Sequence, residues 1–134
     1  MSNILVAYND SEQAKKALFH ARNMMEEDDV LIIGWVIPQL KDKMYSKFEF
    51  DTKISEARSI LKDVVAELKT ENISAKSIVK KGEVAENILE IALENDCKLI
   101  VLGYKGVSKI GRFTLGSVVD KVSRLADRPV LIIK

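Results

Sequence analysis

Four of the six glycines fall within fourteen residues, at Gly103, Gly106, Gly111 and Gly116. Glycine tolerates positive φ and lets a ligand approach the main chain, so successive N–H groups in such a segment can converge on an anion. Lys105, Lys109 and Arg112 lie within the same stretch and supply positive charge. Gly116-Ser117 stands at the start of a predicted helix, where unpaired N–H groups and the helix dipole favour phosphate and the Ser117 hydroxyl adds a donor. The chemistry that this pattern suits is phosphate binding. The alternative is a loop that needs glycines for its own geometry, with Ser117 as an ordinary N-cap. No Gly-x-x-x-x-Gly-Lys-Ser/Thr occurs, and the first strand-to-helix turn, Tyr8-Asn9-Asp10-Ser11, has no glycine. A Walker-type ATPase and a standard dinucleotide-binding fold are thereby excluded.

Other reactive side chains point to less. His20, the sole histidine, sits in the first predicted helix away from its apolar face, too far from the glycine segment to act as a general base there. Cys97 has no second cysteine to pair with and reads as a structural thiol in a reducing compartment. Tyr8 and Trp35 fall at strand ends where either ring could stack on a base, although core packing is the commoner use of Trp35. Met44, Tyr45, Phe48 and Phe50 put apolar area into residues 39–50, which lack a period and read as a loop.

The elements that would hold these residues alternate. Ile4 to Ala7 is a short apolar run of β-forming type. A helical pattern follows at Ala14, Ala17, Leu18, Ala21, Met24 and Met25, with Asp10 or Ser11 as its cap. Val30 to Ile37 is a second strand ended by Pro38, apolar on both alternations as in a sheet covered on both faces. From Asp51 to about Glu71, Ile54, Ala57, Leu61, Val64, Val65 and Leu68 mark an amphipathic helix that Asn72 ends. Ala75 to Val79 is a third strand, and Gly82 opens a helix with Ala85, Ile88, Leu89 and Ala92 on one face. Leu99 to Leu102 is a fourth strand, Ser117 caps a last helix, and Pro129 to Ile133 is a fifth strand. This alternation predicts a parallel α/β sheet with helices on both faces. Such sheets bind ligands beyond the carboxyl ends of the strands.

Hydrophobic residues make up 47% of the chain and charged residues 31%, the balance of an ordinary globular domain, and 134 residues suit one domain spanning 1–134. No secretory pattern precedes Ile4 and no apolar run approaches a membrane span, so a cytoplasmic location is expected. The net charge of +1 gives no global attraction to nucleic acid or to a membrane. Residues 103–134, however, carry seven Lys or Arg against two Asp, a local excess of +5.

The spacing Gly103-x-x-Gly106, nine residues, then Gly116-Ser117 resembles the nucleotide-binding signature of the universal stress proteins. The resemblance extends to Ile4-Leu5-Val6-Ala7 with Ser11 close behind, to Ile100-Val101-Leu102-Gly103, and to Pro129-Val130-Leu131-Ile132-Ile133. It implies a five-stranded parallel sheet of the adenine nucleotide alpha-hydrolase-like kind, with strand order 3-2-1-4-5, usually dimeric, and ATP as ligand. Carried over by position, Gly103 and Gly106 would approach ribose and phosphates. Gly116, Ser117 and Val118 would wrap the triphosphate. Ala7 and Tyr8 would border the nucleoside, Val36 would face the adenine edge, and Leu102 would line the same cleft. Asn9 falls where the family commonly has Asp. Asn is neutral, so it can bond a hydroxyl but cannot help to hold Mg²⁺ by charge, while Asp10 moves a carboxylate by one position.

Three functions remain open on this reading. The first is a nucleotide-dependent stress-response sensor or regulator. The second is a slow ATPase or self-phosphorylating protein with Ser108, Thr114 or Ser117 as acceptor, although no positioned base, arginine finger or carboxylate pair is evident. The third is a nucleotide-independent dimeric interaction module. The apolar strand Val130 to Ile133 would expose unpaired N–H and C=O groups at a sheet edge, and a two-fold homodimer through it would satisfy them.

Overall fold

The computed structural model describes residues 2–39, 45–104 and 116–134. Five strands alternate with four helices: β1 (Asn3–Ala7), α1 (Glu12–Asn23), β2 (Val30–Pro38), α2 (Lys47–Thr70), β3 (Ala75–Gly82), α3 (Val84–Glu94), β4 (Cys97–Gly103), α4 (Ser117–Leu125) and β5 (Val130–Ile133). All strand pairings are parallel, in the order β3-β2-β1-β4-β5. The five-stranded parallel sheet with order 3-2-1-4-5 is the one expected.

Alternation along the strands divides the core into two layers. Ile4, Val6, Leu31, Ile33 and Val101 point toward α1 and α2, where they meet Ala14, Ala17, Ala21, Leu61 and Leu68. Leu5, Ile32, Val36, Ile100 and Leu102 point the other way, onto Ala85, Ile88 and Ile91 of α3 and Val119 and Val122 of α4. Both alternations of β1, β2 and β4 are thus buried, which is why these strands read as continuous apolar runs. The alanines of α1, spaced by three and four residues, present a thin face that lets this helix sit close to the sheet.

Several boundaries differ from those that periodicity predicts. The second helix begins at Lys47 rather than near Asp51. Ser46 caps it by accepting the Glu49 N–H at 3.1 Å, with the Ser-x-x-Glu spacing of a capping box. Residues 47–50 are therefore helix, not loop: Phe50 is buried against Ile37 and Ala57, Tyr45 packs beside them, and Phe48 is 79% exposed. Met44 lies outside the described residues. The third strand runs on to Gly82, because an edge strand tolerates Lys80 and Lys81. Gly82 closes that strand at φ 137° and does not open the helix. Glu83 is the cap of α3, its carboxylate accepting the N–H groups of Ala85 and Glu86, both at 3.0 Å. In α4, Gly116 is the cap and Ser117 is the first helical residue, so Ser117 is not the N-cap that the sequence suggests. Pro129 precedes β5, its carbonyl accepting the Ile100 N–H at 3.0 Å.

Two polar anchors hold the turns at the far end of the sheet. Arg128 donates through Nη1 to the carbonyls of Ala92 at 2.8 Å and Cys97 at 2.9 Å, tying the end of α3 to the start of β4. Asp29, buried ahead of β2, accepts the Glu26 N–H at 2.9 Å and pairs with Lys98 at 2.8 Å. The Lys98 ammonium, then the Glu26 N–H, hold the Asp29 carboxyl below the usual range.

Candidate functional site

The chain runs outward from β1 to β2 and β3, then crosses back to β4 and β5. Strand order therefore reverses between β1 and β4, and the loops leaving these neighbours diverge to opposite faces. A cavity of about 470 Å³ opens at this point, over the carboxyl ends of β1, β2 and β4. That volume lies within the roughly 300–1,000 Å³ of small-molecule and cofactor sites.

Ala7, Tyr8 and Asn9 form its β1 wall, Gly34, Trp35, Val36 and Pro38 its β2 wall, and Leu102 and Gly103 its β4 wall. The first turn of α1 adds Ser11, Gln13 and Ala14; α3 adds Val84 and Ile88; α4 adds Val118 and Val119. Seven of the ten positions expected at the nucleotide thus meet around one cavity, Ala7, Tyr8, Asn9, Val36, Leu102, Gly103 and Val118, with Trp35 beside them. Gly116 and Ser117 adjoin it at the start of α4 without lining it. Gly106 lies outside the described residues, as do Lys105, Ser108, Lys109, Arg112 and Thr114. Val84 and Ile88 are additional wall residues; the sequence marks Ile88 only as part of an apolar helix face with Ala85, Leu89 and Ala92. Gln13 and Gly34 carried no sequence signal, since they reach the cavity through tertiary packing alone.

The β1–α1 turn is built by its own side chains. Asp10 adopts φ 63°, a left-handed conformation that Asp accommodates better than most residues. Asn9 Oδ1 accepts the Ser11 N–H at 3.2 Å, and Ser11 Oγ accepts the Ala14 N–H at 3.1 Å to start α1. The Tyr8 hydroxyl donates to Asp10 Oδ1 at 3.2 Å, and its ring meets Trp35 edge-on with centroids 6.1 Å apart. Burial first, then the hydrogen bond and charge of Asp10, push the Tyr8 phenol up to about 12. Tyr8 is therefore a neutral donor throughout the physiological range. Trp35 is half-buried and serves both readings, packing on Tyr8 while lining the cavity.

The glycines at the two ends of the signature differ. A Cβ on Gly103 would lie 2.4 Å from the Gln13 carbonyl oxygen, so the first turn of α1 occupies the space that a side chain would need. Gly103 thus has a packing role as well as a wall position. A Cβ on Gly116 meets nothing within 4 Å, and its backbone is extended at φ −61°, ψ 152°. Among the described residues, no side chain caps the first turn of α4. By contrast, the carboxylate of Glu83 plugs α3, and Lys121 of α4 pairs with it at 2.9 Å, joining the two helices. Cys97 is buried at the opposite end of β4, where burial pushes its thiol up to about 11, the mark of an inert structural cysteine.

A doubly wound parallel sheet with a cavity at its switch point defines the class of open α/β proteins whose ligand sites lie beyond the strand ends. Residues 1–134 match the universal stress protein family, and the chain belongs to it. It is 31% identical to the universal stress protein YxiE of Bacillus subtilis, the alignment covering 99% of both chains. The structure of the MJ0577 protein of Methanocaldococcus jannaschii superposes with a TM-score of 0.83 at 28% identity, over 99% of this chain and 95% of that one. A universal stress protein of Archaeoglobus fulgidus in complex with dAMP superposes with a TM-score of 0.73 at 24% identity, over 100% and 98% of the two chains.

Proposed function

We propose that this chain binds an adenine nucleotide, ATP in particular, in the cavity at the β1–β4 switch point, and works in the cytoplasm as a nucleotide-dependent regulatory module in stress response. The observation that carries the proposal is the cavity itself, with an apolar floor between strand ends and the glycine-capped amino terminus of α4 at its margin. In this reading the adenine lies toward Val36 and Trp35, and the nucleoside rests on Ala7, Tyr8 and Leu102. The phosphates extend toward Gly116, Ser117 and Val118, whose main-chain N–H groups and helix dipole favour negative charge. Gly106 belongs to the same phosphate-binding segment by its place in the signature. The dAMP complex of the Archaeoglobus relative supports an adenine nucleotide as the ligand class.

Catalysis is not required by this arrangement. Tyr8 is the titratable residue on the described cavity wall and stays protonated, so that wall provides no general base to activate water. A binding module that changes partners with its nucleotide fits these side chains better than a hydrolase.

We further propose a homodimer through β5. The Pro129 and Ile133 carbonyls face β4, accepting from Ile100 and Tyr104. The period of two then turns the main-chain polar groups of Val130 and Ile132 to the open edge. A two-fold partner pairing along that edge would satisfy them.

Trp35 supplies the test for the nucleotide. Titration with ATP, AMP and GTP, followed by tryptophan emission and by calorimetry, is expected to show saturable binding of the adenine nucleotides and weaker binding of GTP. Absence of heat and of any emission change with every nucleotide, in folded protein, would rule the proposal out.

A further inference from the structure

Among the described residues, the carboxylates beside the cavity are committed elsewhere. Asp10, the nearest in sequence to the β1 wall, accepts the Tyr8 hydroxyl at 3.2 Å and lies 4.0 Å from Lys15 Nζ. Glu83 accepts two N–H groups of α3 and pairs with Lys121. Asp120 pairs with Arg124 at 3.3 Å. Asn9, on the wall itself, spends its amide oxygen on the Ser11 N–H. Among the described residues no group of three or more His, Cys, Asp or Glu side chains is placed to hold a metal. The sequence from Gly103 to Ser117 contains Lys105, Lys109 and Arg112 and no Asp or Glu.

Mg²⁺ is retained in nucleotide sites by one or two carboxylates together with phosphate oxygens and water. The donor set here does not fit that requirement. A wall without a free carboxylate suits the opposite partner: an anion with its full negative charge, met by main-chain N–H groups. We infer that this site takes its nucleotide in the metal-free form, so that magnesium competes for the ligand instead of completing the site. The inference rests on the nucleotide-binding reading above and specifies which form of the ligand is bound.

The test is calorimetric titration of the full chain with ATP at matched ionic strength, once in EDTA and once in excess magnesium chloride. ATP is expected to bind in EDTA at least about threefold more tightly than in excess magnesium. Binding that is equal in the two conditions, or tighter in magnesium, overturns the inference and leaves the nucleotide reading standing. Absence of binding under both conditions overturns both. The Asn9→Asp chain, which returns a carboxylate to an exposed position on the wall, is expected to gain magnesium-dependent tightening of about threefold or more, with an unchanged circular dichroism spectrum. A folded Asn9→Asp chain that binds ATP with no such gain overturns the assignment of metal independence to this donor set.

Discussion

Gly103 and Gln13, ninety residues apart, meet so closely that a Cβ on Gly103 would stand 2.4 Å from the Gln13 carbonyl oxygen and 2.6 Å from its carbon. Because the obstructing atoms are main chain, α1 itself must move to admit a side chain. Gly103→Ala is expected to destabilise the fold by roughly 1–3 kcal/mol through overpacking, offset by less than about 1 kcal/mol from stiffening of the unfolded chain. Gly116→Val has open space and an extended backbone, so its stability cost should stay under about 1 kcal/mol. Its effect should fall on nucleotide affinity instead. Urea unfolding midpoints beside calorimetric Kd values for the two variants separate the roles, and a Gly116→Val chain with undiminished affinity would move the phosphates elsewhere.

Tyr8 and Cys97 make the fold sensitive to alkali. Each proton is held more firmly in the folded chain than in the unfolded one, at about 12 against 10 for Tyr8 and about 11 against 9 for Cys97. Their contribution to stability is complete below the unfolded values and is lost as pH rises through the folded ones. Tm should therefore decline from about pH 9 upward. Cys97→Ala should blunt the fall between pH 9 and 11, and Tyr8→Phe the fall between 10 and 12. Scanning calorimetry across this range, with phenolate absorbance for Tyr8, gives the readout. Curves for the variants that parallel the wild type would show that neither group is linked to folding.

Much of this was visible in the chain before folding, for an identifiable reason. Strands buried on both faces must be apolar at every position, so β1, β2 and β4 stand out as runs, and the three-to-four spacing of Ala14, Ala17 and Ala21 marks α1. Seven of the residues that line the cavity were pointed to by the family resemblance, carried over by position. What escaped reading depends on contacts between distant segments. The packing demand on Gly103 comes from α1, the Asp29 and Lys98 pair joins residues sixty-nine apart, and Arg128 reaches two carbonyls across a turn. The early start of α2 was missed for a local reason: Ser46 and Glu49 form a capping signal that carries no hydrophobic period.

Asp29 controls the acid limb. Its carboxyl lies below its ordinary value of 3.8 because Lys98 and the Glu26 N–H favour the charged form. The stability it contributes is present above that value and is lost as pH falls through and below it. Asp29→Ala removes both bonds and is expected to cost about 1–2 kcal/mol at neutral pH. It should also flatten the decline of stability below about pH 4. Urea titrations at pH 3 to 7 on both chains check this, and equal acid slopes would remove Asp29 as the linked group.

The edge of the sheet yields the last test. Val130 to Ile133 stay partly exposed along β5, while among the described residues their strand pairs only with β4. If two copies join along this edge, the outward N–H of Ile132 is one of the donors lost when that residue becomes proline, whereas the bonds to β4, carried by alternate residues, survive. Sedimentation equilibrium is expected to give a dimer for the wild type and a monomer for Ile132→Pro, with far-ultraviolet dichroism nearly unchanged. Leu125, exposed at the end of α4 just before β5, offers an independent probe, since a charged residue there should leave the dimer intact if main-chain pairing dominates. A wild-type chain that sediments as a monomer at every concentration would show that β5 remains an open edge, protected by its four-residue length rather than by a partner.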